Sequence, residues 1–180
     1  VGRRTTAAVA ALASVAVVAA GCGPDTDGSD PPSSITDTSA ATAALWDPCT
    51  QIPAQVVQKI GLTPSSKRSG IAGVEEPGWK VCSWNNEDFS VGVFSTINKV
   101  DDFKKKADNI GFKDVTIAGR QGVEHRMASD RFDETCSLLF TAKHETLQIL
   151  IRNQTSSSSA TAPCTRAEQV AVSLVPIFPS

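Results

Sequence analysis

The sequence predicts an α+β domain: a mainly antiparallel sheet of about six strands, helices packed on one face, and two disulfides. Three observations carry this expectation. Apolar residues recur at every second position in short runs between Lys80 and Ile151, the period of a strand with one buried face. Three other segments, near Pro53, Lys99 and Thr165, carry apolar residues at helical spacing. Cys49, Cys82, Cys136 and Cys164 stand just before or within these elements, an even set suited to two bridges.

The domain opens at Trp46-Asp47-Pro48-Cys49. A helix is expected over Pro53–Ile60, with Pro53 in its first turn, Val56, Val57 and Ile60 as the apolar stripe, and Gly61 after its end. Lys67 to Gly78 reads as a glycine-rich loop. Lys80-Val81-Cys82-Ser83-Trp84 alternates as a strand, and Glu87-Asp88 turn it into a second one carrying Phe89, Val91 and Val93 on one face. Val100, Phe103, Ala107 and Ile110 give a helix over Lys99–Asn109, closed by Gly111. Four strands follow: Val115 with Ile117, Val123 with Met127, Cys136 with Leu138 and Phe140, and Leu147 with Ile149 and Ile151. Lys143-His144-Glu145 is the last hairpin turn, and Ser156–Ser159 a polar loop. Thr165-Arg166-Ala167-Glu168 matches a capping box that starts a final helix, with Ala167, Val170, Ala171 and Leu174 inward and Pro176 as its stop.

Ahead of the domain the chain changes character twice. Residues 1–21 read as an export signal: Arg3-Arg4, then fourteen apolar or small residues from Ala7 to Ala20, too short for a membrane span. Val18-Ala19-Ala20-Gly21-Cys22 places small residues before a cysteine, the pattern of a bacterial lipobox, with Ala19 where leucine is usual. Cys22 is therefore the expected lipidation site. Residues 22–44 read as a lipidated, disordered tether. From Gly23 to Ala44 there are four Asp, no Lys or Arg, and one large aliphatic, Ile35, too little apolar surface to offset chain entropy. Such a coil spans about 25 Å. Residues 45–180 form the single domain. Loss of the two leader arginines takes the net charge from -2 to -4. That balance argues against a general nucleic-acid binder.

An exported domain with four remaining cysteines should hold two disulfides. Sequential pairing, Cys49–Cys82 and Cys136–Cys164, would staple a helix to the sheet in each half. The nested pairing, Cys49–Cys164 with Cys82–Cys136, stands close behind it. No C-x-x-C occurs and histidine is scarce, so no zinc site is expected.

The lipobox, the polar tether, Asp47-Pro48-Cys49 before a helix, Cys82-Ser83-Trp84 on a strand, Cys136, and Pro163-Cys164 opening the last helix together resemble a family. It is the actinobacterial, especially mycobacterial, LprB/LprC-like lipoprotein family, which carries a domain of unknown function, and the resemblance looks strongest to its LprC branch. The resemblance implies attachment to the outer face of the cell membrane and carries over no catalytic or binding residue.

Chemistry-bearing groups are sparse. No G-x-S-x-G elbow occurs, and of the two histidines His125 has inward parity while His144 sits in a turn. The acidic pairs Glu75-Glu76, Glu87-Asp88, Asp101-Asp102 and Asp133-Glu134 read as solvated turns or a helix start. Lys104-Lys105-Lys106 reads as a solvated helix face. No cofactor or metal motif is present. The expectation is a lipid-anchored cell-envelope protein whose non-catalytic domain binds a small ligand or an envelope protein. A lipid carrier with an internal cavity is the alternative, and an envelope hydrolase of unrecognised type a weaker one.

Overall fold

The computed structural model describes residues 35–155 and 161–180. The leader, Cys22 and the first part of the tether lie outside them, as does the Ser156–Ser159 loop. The described elements are α1 (Ile35–Ala43), α2 (Pro48–Gln51), α3 (Ala54–Lys59), β1 (Arg68–Ser69), β2 (Trp79–Asn85), β3 (Phe89–Thr96), α4 (Val100–Lys104), β4 (Asn109–Ile117), β5 (Arg120–Met127), β6 (Thr135–Thr141), β7 (Thr146–Asn153) and α5 (Pro163–Leu174).

The strands form one seven-stranded sheet in the order β1-β2-β3-β7-β6-β5-β4, with every neighbouring pair antiparallel. Six of the seven are the runs whose alternation predicts strands. The seventh, β1, is a two-residue stretch inside the predicted glycine-rich loop, too short to show a period. It pairs Arg68 with Ser83 and Ser69 with Cys82.

Register separates the two faces. Cys82, Val93, Ile149 and Leu138 lie side by side across β2, β3, β7 and β6, and Trp84, Val91, Ile151 and Cys136 form the next row. All eight are buried, and α5 closes over this face with Ala167, Val170, Ala171 and Leu174 inward. Gly122 of β5 leaves room on the same face for the Phe140 ring. Phe178, past α5, meets Phe140 and Trp46 edge-on at centroid distances of 6.0 and 5.5 Å.

The disulfides join Cys49 to Cys82 and Cys136 to Cys164. Each ties a helix of this face, α2 or α5, to the strand beneath it.

Four local expectations are corrected. Residues 35–43, assigned to the disordered tether, form α1. Nine residues make a marginal helix alone, but Thr42 Oγ1 accepts a hydrogen bond from the Gly78 amide at 2.6 Å and ties it to the domain. The helix expected over Lys99–Asn109 is only Val100–Lys104. Asp102 caps it by accepting from the Lys99 amide at 2.9 Å, and Asn109 already belongs to β4. Gly111, expected to end that helix, instead sits at φ 66° where β4 slips register between Ile110 and Lys113. The last helix starts at Pro163, not at Thr165, because proline suits the first helical position and the Cys164 bridge fixes that turn.

Finally, the helices do not all share one face. Phe103 of α4 packs against Trp79 at 6.1 Å and His125 at 6.3 Å, residues whose parity is opposite to Cys82 and Glu124. The segment from Thr96 to Asn109 thus crosses the second face of the sheet, linking the end of β3 to the start of β4.

Candidate functional site

The antiparallel register gives the sheet two distinct ends. At one, here the root end, β2 begins at Trp79, β3 ends at Thr96, and β6 and β7 meet through the 142–145 turn. The chain enters the domain here. Thr42 bonds Gly78, and the Trp46 amide donates to Glu145 Oε2 at 3.1 Å. Glu145 is buried and also accepts from Ser95 Oγ.

At the far end, β5, β6 and β7 deliver Met127, Thr135 and Arg152 to the edge of the second face, and the loop 128–134 folds over them. Two aspartates shape this loop. Asp108 accepts from the Ser129 amide at 2.8 Å and its hydroxyl at 2.6 Å. Asp130 accepts from the Glu134 amide at 3.2 Å and from the Thr135 amide and hydroxyl at 2.7 Å each. Burial works to raise the Asp130 pKa, but the Thr135 and Glu134 hydrogen bonds outweigh it and hold it below 3.8. Local Asx bonding of this kind suits a turn and fixes its shape.

The loop and the strand ends enclose a cleft of about 190 Å³ lined by Met127, Ser129, Asp130, Arg131, Phe132 and Arg152, among others. Phe132 is 79% exposed at its rim. Arg126 pairs with Asp133, and Arg152 Nη1 lies 3.9 Å from Glu134 Oε2. Asp130 and Glu134 line the cleft beside Arg131 and Arg152, so its charge is balanced, and the exposed Phe132 ring suits contact with an apolar or aromatic group. The cleft holds neither histidine, so it has no nucleophile–base pair of the Ser–His type.

Residues singled out from the sequence are scattered by the fold. His125 lies under the crossover, 2% exposed, with Phe112 stacked on it at 5.3 Å. Nδ1 is 3.5 Å from the Arg126 carbonyl, and Nε2 is buried with no hydrogen-bond partner among the described residues. Burial lowers its pKa below 6.5, the Lys106 charge adds to that, and the Arg126 carbonyl opposes it. A neutral imidazole walled in by two Phe rings is a packing residue. His144 is exposed in the root-end turn. The four acidic pairs fall on separate loops or helix starts and do not converge.

Glu124, Cys136 and Cys164 bring one carboxylate oxygen and two sulfurs within 4.8 Å of one another under α5. With Cys136 and Cys164 bonded to each other the sulfurs are not thiolates, so the group is not a metal site in this form. The loop 128–134 is not legible as a site from sequence. Its only signal is an isolated Phe in the polar run Ser129-Asp130-Arg131-Phe132-Asp133-Glu134, from which only Asp133-Glu134 stands out, as a solvated pair.

Comparison with known proteins matches residues 17–176 to the family described as "Protein of unknown function (DUF3558)". The chain belongs to that family. Neither a curated protein nor a solved structure matches. The DUF3558 match spans all four bridge-forming cysteines and also Cys22 and the polar stretch that follows it. Among the described residues of this DUF3558 chain, no helix is long and apolar enough to cross a membrane.

Proposed function

We infer that this chain is a cell-envelope lipoprotein of the LprB/LprC-like actinobacterial kind. In this reading it is anchored through Cys22 to the outer face of the cell membrane and works as a non-catalytic binding module. The observation that carries this reading is the placement of root and cleft at opposite ends of one sheet. Thr146 of β7 adjoins the root-end turn and Arg152 of the same strand lines the cleft. Five residues of strand lie between them, a span of about 20 Å. A domain held by its root offers the far end, with Phe132 and Arg131, to a partner away from the bilayer.

Two further observations support this assignment. Two disulfides belong to an oxidising, extracytoplasmic compartment. His125 and Glu124, the buried titratable groups nearest to a catalytic type, are covered by the crossover and by α5. The layer between α5 and the sheet is occupied by Leu138, Phe140, Ile149, Ile151, Val170 and Leu174, so nothing favours the lipid-carrier reading.

The test has two arms, run in an actinobacterial host. Mass spectrometry of the mature N-terminus should find diacylglycerol on Cys22, and Cys22→Ala should release the protein from membranes. An unmodified Cys22 on a membrane-bound chain would sink the anchor. A photo-crosslinker at position 132 should capture a defined partner, while one at Val172, an exposed position on α5, should not. Equal capture at both positions, or none at 132, would refute the far-end site.

A further inference from the structure

The root end carries a small built feature that the binding reading does not use. Residues 71–77 are exposed without interruption. Within this arm Ile71 and Val74 pair across a tight turn, each amide donating to the other's carbonyl at 2.8 and 3.0 Å. The turn has a specified shape. Gly70, Ala72 and Gly73 adopt φ of 71°, 53° and 83°. A Cβ on Gly70 would lie 2.5 Å from the Val74 carbonyl oxygen. The Gly70 amide donates to the Val81 carbonyl at 3.0 Å and fixes the base of the arm to β2. Alanine in the left-handed region is strained.

This turn spends that strain to hold two aliphatic side chains in water. Ile71 is 48% and Val74 58% exposed. Single exposed aliphatics are ordinary. Here, however, two of the five large exposed hydrophobics among the described residues face each other on one four-residue tip. The tip also stands beside the chain's point of entry. Thr38, Ser39, Thr42 and Ala43 of α1 line a cleft together with Glu75, Glu76 and Pro77, the second limb of the same arm. Twelve residues lie between Cys22 and Ile35, a reach of at most about 45 Å from one to the other.

We propose that the 70–74 turn is a second membrane contact, with Ile71 and Val74 dipping into the bilayer beside the lipid anchor. Lys67 and Arg68 on one limb are balanced by Glu75 and Glu76 on the other. The contact is therefore apolar, does not select anionic lipid, and fits a phosphatidylcholine surface. Two aliphatic side chains bind a bilayer only weakly on their own. Held at the surface by an anchor they would fix the tilt of the domain and keep the far end pointing outward. The inference rests on the anchored reading above.

The experiment uses the full chain on phosphatidylcholine vesicles with brominated acyl chains. V74W and, as the control at the far end, F132W each add one tryptophan to the native three, whose signal is subtracted. The added emission of V74W should be blue-shifted and quenched by brominated lipid, and that of F132W should be neither. Quenching at neither site, or equally at both, would overturn the proposal. I71W replaces V74W if near-ultraviolet circular dichroism shows that variant misfolded. The chain is loaded both through its own modified Cys22 and through an N-terminal histidine tag on chelating lipid. Failure of the anchor then appears as an unmodified Cys22 mass, while failure of the turn appears as absent quenching on tag-loaded vesicles.

Discussion

Replacing Gly122 by alanine tests the packing of the α5 face by the sign of its effect. The φ of Gly122 is not in the left-handed region, so alanine can adopt the native backbone. Removing a glycine from the unfolded ensemble should then stabilise by about 0.4–1 kcal/mol. Burying one more methyl should add about 0.8 kcal/mol. Against both stands the geometry. A Cβ at this position would lie 2.6 and 2.7 Å from two Phe140 ring carbons and 2.8 Å from the Leu139 carbonyl oxygen. Ordinary carbon contacts are about 3.5–4.0 Å, so the ring must retreat by roughly 1 Å. It cannot do so freely, because Phe140 is fully buried and Phe178 meets it edge-on. Overpacking of this kind costs about 1–3 kcal/mol or somewhat more. Because the ring has little room to retreat, the cost should lie at the upper end of that range, about 3 kcal/mol. The two gains of about 1.2–1.8 kcal/mol together leave a net loss of about 1–2 kcal/mol, read as a lower urea midpoint at unchanged slope. Phe140→Leu separates the two clashes. In that background the ring contact is gone and only the Leu139 oxygen remains, so the penalty for alanine at 122 should shrink by about 1 kcal/mol. A stabilised Gly122→Ala protein would refute the reasoning outright, and an unchanged penalty in the Phe140→Leu background would assign the clash to the backbone alone.

Three further outcomes follow from the same geometry. In C49A/C82A the Cys136–Cys164 bridge remains alone, and in C136A/C164A the other does. The bridges span sequence separations of 33 and 28, so chain entropy assigns about 3.8 and about 3.6 kcal/mol to them. Urea unfolding of each variant with and without a phosphine reductant should show near-equal losses, and a several-fold difference would point to interactions beyond loop closure. Glu145→Ala strands the Trp46 amide and the Ser95 hydroxyl at the root end and should lower stability by about 1–3 kcal/mol in the same assay. For His125 the folded pKa is depressed by burial, so the unfolded chain takes up a proton first as pH falls through 6.5. Its contribution to stability is full above 6.5 and is lost progressively below it. His125→Phe should flatten the stability–pH profile there, and an unchanged slope would assign the acid sensitivity elsewhere.

The six longer strands are legible in the sequence because they place an apolar residue at every second position toward the face covered by α2 and α5, while the other face, buried in the central strands as well, mixes in polar residues such as Thr135 and Ser137 of β6. The apolar set of α5 is equally plain. Its true start is not, since Thr165-Arg166-Ala167-Glu168 imitates a cap while the Cys164 bridge and Pro163 set the first turn two residues earlier. β1 and α2 are too short for any period to show. The helix expected around α4 is too long because Ala107 and Ile110 continue a helical spacing that the chain abandons to enter β4, where Ile110 ends 46% exposed. α1 is tertiary in origin: its composition favours no structure, and a hydrogen bond from Gly78 supplies what the local sequence lacks. The far-end cleft is illegible for a similar reason. Met127, Thr135 and Arg152 come from three strands, and only the register brings them together.

The pairing of consecutive cysteines also bears on how the chain matures. On the export proposed above, a polypeptide threaded outward from its N-terminus would present Cys49 and Cys82 to the oxidising side before Cys136, and Cys136 before Cys164. With Cys22 acylated as proposed above, an oxidant that joins each remaining thiol to the next one to emerge would write both bridges in order of appearance. The first loop closes without waiting for the second half of the sheet, although β3 must later pair with β7. On this route a disulfide isomerase would have little to correct, and oxidative maturation would proceed at the pace of export.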